Sequence, residues 1–569
     1  MLRRHRGLKP AFNHVSLSGS KATRFLTKSS VQGPLDPPLS HKTLPHYFTD
    51  DILAKHSSRP ALICRKEDPR AHGGPLSPNL GISTHLAWDY EEFNRHIMAV
   101  ARGLLGMGVQ KGDRVGVIMG NNSAYATLQW ACASIGAILV TLNPAYRLVE
   151  LVSTLKLAGV KHLFVVPSIR SSQYVRMLSQ AFVEIRGQAP GNLQVEDLPE
   201  WRNLVVVDNK EEARRDLEKL HIKGMVDWRE VLIWRDNGKE AAEQKKIVAG
   251  LDKDDIINLQ FTSGTTGNLA AWSQGSCIVY PSEIFDPVAI VDAVQDEKCT
   301  ALHGVPTHFL GVLTEVEHRK NHGIPVDMRS LRTGIAAGSP IPIDLMKRLI
   351  SDMNLTDLTN AYGMTETSPV SFQTTPSDPI IKRVETVGKV QPHVKAKIVD
   401  PEGNVVDVNT PGEIWVAGYL LQKGYWEDKE QTDLVMKKDE EGTLWMHTGD
   451  EGIMDEDGYL RMQIENAITL HPAVREAAAV AVPDAKYGEV VGAWIVREPN
   501  TPESSPITRE QLREMVSRNM NPQNAPAWVW FIGEDGNPDE LPKTASGKVM
   551  KHVLRKWSKQ LAEEGVGRV

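Results

Sequence analysis

The chain reads as an α/β protein: a large N-terminal domain of mixed sheets with crossover helices and an antiparallel β subdomain, followed by a small α+β C-terminal domain. Three observations predict this. Apolar runs alternate with helical patterns from DRVGVIMG through SAYATLQWACASIGA, ILVTLNP and LVELVSTLKLAGV to KHLFVVP, the order of a parallel sheet with crossover helices. From Gly388 the pattern changes to short strands with turns, VKAKIVDPEGNVVD, GEIWVAG and GTLWMHTGDEGIMDEDGYLRM, which predicts an antiparallel sheet. With 569 residues the chain also exceeds the roughly 250–300 residues at which a single core stops growing.

Taken in order, the first 35 residues contain no Asp or Glu but hold Arg3, Arg4, Arg6, Lys9, Lys21, Arg24 and Lys28 among serines. That composition fits an organellar transit peptide, with a basic tail as the plain alternative. The end, GRV, is not an SKL-type signal, so a peroxisomal address is the weaker expectation. A Pro-rich stretch, QGPLDPPLSHKTLP, closes this leader, giving boundaries of 1–45, 46–458 and 459–569. RNLVVVDN and IINLQFTS predict further strands, and the charged stretch from Lys210 to Lys246 predicts solvated helices and connectors. The last region combines a helix, the strand pair AAAVAVP and VGAWIVRE, a polar link NTPESSPIT and a terminal basic helix.

Composition narrows the function. Hydrophobic residues at 41% and charged residues at 24% suit a folded globular chain rather than a disordered one. A net charge of -6 argues against a nucleic-acid surface, which relies on clustered Lys and Arg. Cys64, Cys132, Cys277 and Cys299 have no CxxC spacing, so neither a disulfide framework nor zinc is expected. The longest apolar run, CASIGAILVTL, is half the roughly 18–20 residues of a membrane-spanning helix, so no integral membrane segment is expected.

The motif TSGTTG comprises Thr262, Ser263, Gly264, Thr265, Thr266 and Gly267, and follows a strand. Its glycines let backbone approach an anion while amides and hydroxyls donate to phosphate oxygens. It lacks the lysine of a Walker A loop, and alone such a string is as readily a hairpin turn. Its company alters that reading. Gly338, Ser339 and Pro340 follow, then NAYGMTE at Asn360 to Glu366, HTGD at His447 to Asp450, and LPKTASGK ending in Lys548.

These strings, in this order, resemble the adenylate-forming, AMP-binding superfamily of acyl-CoA synthetases, luciferases and peptide-synthetase adenylation domains. The likeness covers nearly the whole chain after the first 45 residues. NPAYR, ALHGVPTHFL, YGMTETSP and LPKTASGKVMKHVLR are most similar to the medium-chain acyl-CoA synthetase branch. The resemblance implies ATP, Mg²⁺ and coenzyme A acting on a small carboxylic acid, expected here to be a medium-chain fatty acid. A carboxylate must attack the α-phosphate although both are anions, so hydroxyl donors, metal and a cation are needed to screen charge.

Carried over residue by residue, the loop 262–267 holds phosphates, Thr365 contacts the α-phosphate and Glu366 holds Mg²⁺. Tyr362 stacks on adenine beside Gly363, Gly338 to Pro340 line the base and acyl pocket, and Asp450 accepts the ribose hydroxyls. Lys548, on the small domain, reaches the reacting carboxylate. The plain alternatives are a helix N-cap for Thr365, a turn for Asp450 and a surface lysine for Lys548. His303, His447 and Trp426 read as structural.

Two departures stand out. Gly267 runs directly into NLAAWSQGSCIVYP, read as an apolar strand, without the family's lysine-containing segment, helix and histidine-bearing strand. At Leu460 to Glu465, YLRMQIEN replaces the family's hinge and CoA-tunnel segments. Both joins are clean, as in an alternative splice or a gene-model error. Beside the ligase, two other readings stay open: a catalytically impaired or non-catalytic relative, and an acid-activating ligase of a siderophore or secondary-metabolite pathway. Oligomeric state and acyl chain length are not legible.

Overall fold

The computed structural model describes residues 26–261, 267–337, 343–462, 468–469, 471, 473–484, 488–498, 507–519, 525–534, 536–543 and 549–569. The transit-like leader therefore falls largely outside the described residues.

The first sheet is wholly parallel. Across it run Met225–Asp227, Asn203–Val206, Val160–Val165, Arg114–Ile118, Ile138–Thr141 and Asn258–Gln260. The helices between these strands have clear starts and stops. Ser123–Ile135 is capped by the Asn122 side chain accepting from the Tyr125 amide, and it ends at Gly136 with φ 69, a left-handed conformation that glycine takes without strain. Every residue of that helix is buried, as a crossover helix pressed on a parallel sheet requires.

The charged stretch 210–246 departs from expectation in one place. Met225–Asp227 is a strand pairing with Asn203–Val206, followed by Trp228 at 1% exposure. Burying one indole outweighs the polar neighbours and draws the segment onto the sheet.

A second sheet pairs Ile278–Tyr280 parallel to Pro60–Cys64 and the latter antiparallel to Leu86–Asp89. Here a second correction applies. The residues directly after Gly267 form a helix, Gly267–Ser273, and the strand begins only at Ile278. Leu269 and Trp272 are three apart, which places both on one helical face, and Trp272 is fully buried with Nε1 donating to the Ala61 carbonyl at 2.9 Å.

A third sheet runs Thr333–Ala337, Asp357–Tyr362, Phe372–Gln373 and Lys389–Val390. The fourth is antiparallel, with Ser30–Gln32, Val394–Val399, Pro411–Gly418, Leu444–Met454 and Met436–Lys438 in order and Leu460–Met462 also pairing with Leu444–Met454. The small C-terminal unit pairs Val474–Asp484 antiparallel to Gly488–Arg497, with Trp528–Phe531 added in parallel. Its terminal helix, Lys551–Glu563, is tied to this sheet where Trp494 Nε1 donates to Ser558 Oγ at 2.8 Å. The architecture is thus the mixed α/β arrangement expected, a large N-terminal part and a small C-terminal one. Among the described residues, no helix is long and apolar enough to cross a membrane.

Candidate active site

A cleft of about 4200 Å³ lies where the sheets meet and is lined from both parts of the chain. Tyr362, Gly363, Thr365, Glu366 and Asp450 all line it, although Tyr362 and Asp450 are 88 residues apart in sequence.

The YGMTE residues are placed by a strand end. Asp357–Tyr362 finishes at Tyr362, and Thr365–Thr367 forms a short 3₁₀ turn immediately after. Gly363 is needed there for close approach, since a Cβ would collide with the Pro369 carbonyl oxygen. The turn is fixed by the Met364 amide donating to Thr367 Oγ1 at 3.1 Å and by Ser371 Oγ donating to the same oxygen at 3.0 Å. Thr365 and Glu366 are thereby left on the cleft wall. Glu366 is tethered from elsewhere: Tyr425 Oη donates to Oε1 at 3.0 Å and the Gln422 amide donates to its carbonyl at 2.9 Å. Burial first, then the Glu366 charge, pushes the Tyr425 phenol up to about 12, so it remains a neutral donor.

Asp450 is aimed by a bulge. Pro411–Gly418 and Leu444–Met454 pair Glu413 with Glu451 and Trp415 with His447, so Thr448, Gly449 and Asp450 all oppose Ile414 alone. Gly449 takes φ 69 within the bulge, Thr448 Oγ1 donates to the Ile414 carbonyl at 2.7 Å, and the Asp450 amide donates to Thr448 Oγ1 at 3.1 Å. Extra residues on one strand are how sheets redirect a side chain beside a site. Tyr362 Oη then donates to Asp450 Oδ2 at 2.8 Å, and burial together with that carboxylate raises the phenol well above its ordinary value. His447 stacks on Trp415 with centroids 3.8 Å apart, consistent with a structural place, while His303 lies in the cleft wall.

The remaining site residues fall differently. Thr262 to Thr266, Gly338 to Pro340 and Lys548 lie outside the described residues; Gly267 begins the helix noted above. The flanks of Lys548 are described: Lys543 and Val549 form an antiparallel bridge, both line the cleft, and Lys543 Nζ pairs with Glu476 Oε2 at 2.7 Å. Sequence reasoning did not single out Tyr425 and Gln422 as site residues. The string QKGYW was visible, but nothing local links it to a glutamate about sixty positions away.

The donor set suits a magnesium ion held partly by substrate. Among the described residues no three His, Cys, Asp or Glu side chains cluster as a metal cage. Glu366 supplies one carboxylate on an open wall, and Mg²⁺ is commonly bound by one or two carboxylates plus substrate phosphates and water.

Comparison with known proteins fits this geometry. The profile of the AMP-binding enzyme family matches residues 53–270 and 268–426, and that of the AMP-binding enzyme C-terminal domain matches residues 463–548. Acyl-CoA ligase sidI of Aspergillus fumigatus is 34% identical over 544 residues, 84% of this chain and 88% of its own. Medium-chain acyl-CoA ligase ACSF2, mitochondrial, of Bos taurus is 28% identical over 601 residues, 94% of this chain and 90% of its own. The crystal structure of the anthranilate CoA ligase AuaEII in complex with anthranoyl-AMP shares the fold, with a TM-score of 0.66 at 19% identity over 93% of this chain and 99% of that one.

These matches also measure a shortfall. Because 84% of 569 residues is about 478, about 66 of the 544 aligned positions face no residue of this chain. For the Bos taurus protein, 94% of 569 is about 535, which again leaves about 66 of 601. The two pieces of the main family match meet at 268–270, the site of the first join, and the C-terminal match begins at 463, beside the second. With most of its length matched in this way, the chain belongs to the AMP-binding enzyme family, whose curated relatives here are acyl-CoA ligases.

Proposed function

We propose that the chain is built as an ATP-dependent acyl-CoA ligase for an aliphatic, medium-chain acid, and that its 569-residue form binds nucleotide with little turnover. The observation that supports the first part is the convergence of Tyr362, Thr365, Glu366 and Asp450 on one cleft wall, from two sheets.

In this reading Tyr362 offers its ring to adenine while holding Asp450, whose carboxylate accepts from the ribose hydroxyls. An ionised carboxylate has about four acceptor sites, so the bond from Tyr362 leaves capacity for a diol. Thr365 donates to the α-phosphate and Glu366 would hold Mg²⁺, which when bound neutralises charge building on the phosphate oxygens. Lys548 screens the approach of the acid. The acid's carboxylate oxygen attacks the α-phosphorus, the bond to pyrophosphate breaks, and an acyl-adenylate results. The CoA thiol, its proton lost to solvent, then attacks the acyl carbon and AMP leaves.

The second part is supported by the two joins. Buried strands are not dropped from a packed core without forcing the hydrogen bonds of their neighbours to be remade. The phosphate loop loses its following lysine-bearing segment, and the small domain, 459–569 in this reading, loses its hinge. The measurement is ATP–pyrophosphate exchange and thioester formation with a panel of carboxylic acids. It compares the 569-residue chain with one in which both segments are restored from its own genomic sequence. Exchange confined to the restored chain is expected. Robust thioester synthesis by the 569-residue chain would overturn the impaired reading, and failure of the restored chain on every acid would overturn the ligase reading. A preference for hydroxylated or branched acids would move the substrate toward secondary metabolism. For localisation we favour mitochondria, on the acid-free leader; a fusion of residues 1–45 to a fluorescent protein that stays cytosolic would refute it.

A further inference from the structure

A second, smaller cavity lies away from the cleft and shares no lining residue with it. It measures about 240 Å³ and is walled by the helices Tyr90–Gly106, Ser123–Ile135 and Lys239–Ala249, completed by Leu44–Tyr47 and Phe48–Leu53. Small and polar side chains leave this space where packed helices normally carry apolar ones. Lys239–Ala249 turns Ala241 and Gln244 inward, three positions apart on one face, and Gln244 is 1% exposed. Ser134 is buried as well, its Oγ satisfied within its own helix by the Ala131 carbonyl at 2.9 Å. The inner wall is otherwise largely apolar: Phe48 and Trp130 meet edge-on with ring centroids 4.7 Å apart, and Ile97 is buried beside them.

Two donors on this wall want an acceptor. Trp130 is 3% exposed, and its Nε1 has no hydrogen-bond partner among the described residues. Gln244 Nε2 faces Met98 Sδ at 3.4 Å, and a thioether is a weak acceptor. Buried N–H groups are nearly always paired, because an unpaired one forfeits its hydration for nothing. The buried part of the wall holds no charged group, which argues for a neutral occupant; Lys245 and His46, the ionisable lining residues, are both exposed. Volume sets the size. An apolar cavity of about 150 Å³ takes benzene, so this one matches roughly ten non-hydrogen atoms.

We propose that this cavity is a second small-molecule site, for a neutral, mostly apolar compound of roughly ten non-hydrogen atoms with one oxygen acceptor, such as an aryl ketone, that accepts from Trp130 Nε1. Burial of the apolar part supplies affinity, and the indole N–H selects for the oxygen. The inference rests on the cavity and its unpaired donor, and holds whether or not the ligase reading does.

The test uses the full 569-residue chain with acetophenone and ethylbenzene, which share a ring and nearly the same size and differ in the carbonyl. Binding is followed by calorimetry and by saturation-transfer NMR. The expected result is saturable one-to-one binding of acetophenone with a Kd of about 1 mM or tighter, within reach of so small a ligand. Ethylbenzene should bind about threefold more weakly or worse, the scale of one net hydrogen bond. Trp130→Phe keeps a ring, removes the N–H and should bring the two affinities together. Ala249→Trp, at an exposed lining position, should abolish binding of both probes while the melting temperature holds, which keeps the test decisive where Trp130→Phe fails to fold. No binding of either probe, equal binding of the two, undiminished discrimination in Trp130→Phe, or unchanged acetophenone binding in Ala249→Trp would each overturn the proposal.

Discussion

The hydroxyl of Tyr362 donates to Asp450 Oδ2 at 2.8 Å, joining the end of one sheet to a bulge in another. On the proposed roles, Tyr362 at the base and Asp450 at the ribose, the bond makes the two act as one unit in nucleotide binding. Asp450→Ala removes a charged acceptor, and hydrogen bonds to charged groups are worth about 1.5–3 kcal/mol. AMP affinity by calorimetry should fall roughly 10- to 150-fold. Tyr362→Phe keeps the ring and should cost less, and the double variant should be weaker by less than the sum. Additive losses would show that the two residues work separately.

Tyr425 holds Glu366 Oε1 at 3.0 Å, from about one-third exposure. A partly exposed hydrogen bond contributes about 1 kcal/mol, or roughly fivefold in an equilibrium. In the segment-restored chain, Tyr425→Phe should raise the Mg²⁺ concentration for half-maximal exchange about fivefold while leaving acid KM unchanged. No change in magnesium dependence would make this contact incidental.

Much of the scaffold was legible because it is local. The apolar runs of the parallel strands and the helical pattern SAYATLQWACASIGA are written within the residues that form them. YGMTE and HTGD were legible as strings, but their meeting was not. The bulge opposite Ile414 depends on register between strand positions about thirty-five residues apart, and Tyr425 reaches Glu366 only through the folded chain. The Met225–Asp227 strand was missed because the burial of Trp228 overrides a polar neighbourhood. The helix at Gly267–Ser273 was missed because a short apolar run suits either a strand or a buried helix.

Glu67 forms a buried polar cluster that motif reading gave no reason to examine. Its carboxylate accepts from the Ser123 amide at 2.8 Å, from Ser123 Oγ, and from Asn209 Nδ2 at 2.8 Å. His72 accepts from Trp228 Nε1 at Nδ1, which leaves Nε2 to donate to Ser123 Oγ at 2.6 Å; burial holds this imidazole neutral. Burial raises the Glu67 carboxyl from 4.5 to about 7. Because the folded value lies above the unfolded one, the folded state binds the proton more tightly. The contribution is complete below about pH 4.5 and is lost as pH rises through 7. A shift of this size corresponds to about 3 kcal/mol at most. Denaturant titrations at pH 5 and pH 8 should show that Glu67→Gln flattens this fall, whatever its effect on absolute stability. An unchanged slope would mean that the carboxyl does not titrate with folding.

The described residues on either side of Lys548 are pinned. Lys543 bridges Val549, the Met550 amide donates to the Pro542 carbonyl at 2.7 Å, and Lys543 is paired with Glu476. The described residues on either side, Lys543 and Val549, both line the cleft. An ammonium there matters where two anions meet, when the carboxylate approaches the α-phosphate, and much less when a thiol attacks an acyl carbon. Losing one preorganised charge contact costs about 2.7–4 kcal/mol in barrier, or roughly 10²–10³ in rate. In the segment-restored chain, Lys548→Ala should slow ATP–pyrophosphate exchange by that factor. Thioester formation from supplied acyl-adenylate should change less than tenfold. Lys543→Ala, which removes the pairing with Glu476, should slow both half-reactions modestly and alike, since it loosens the loop without removing the reacting charge. Equal loss of both half-reactions in Lys548→Ala would instead give that lysine a positioning role in the loop.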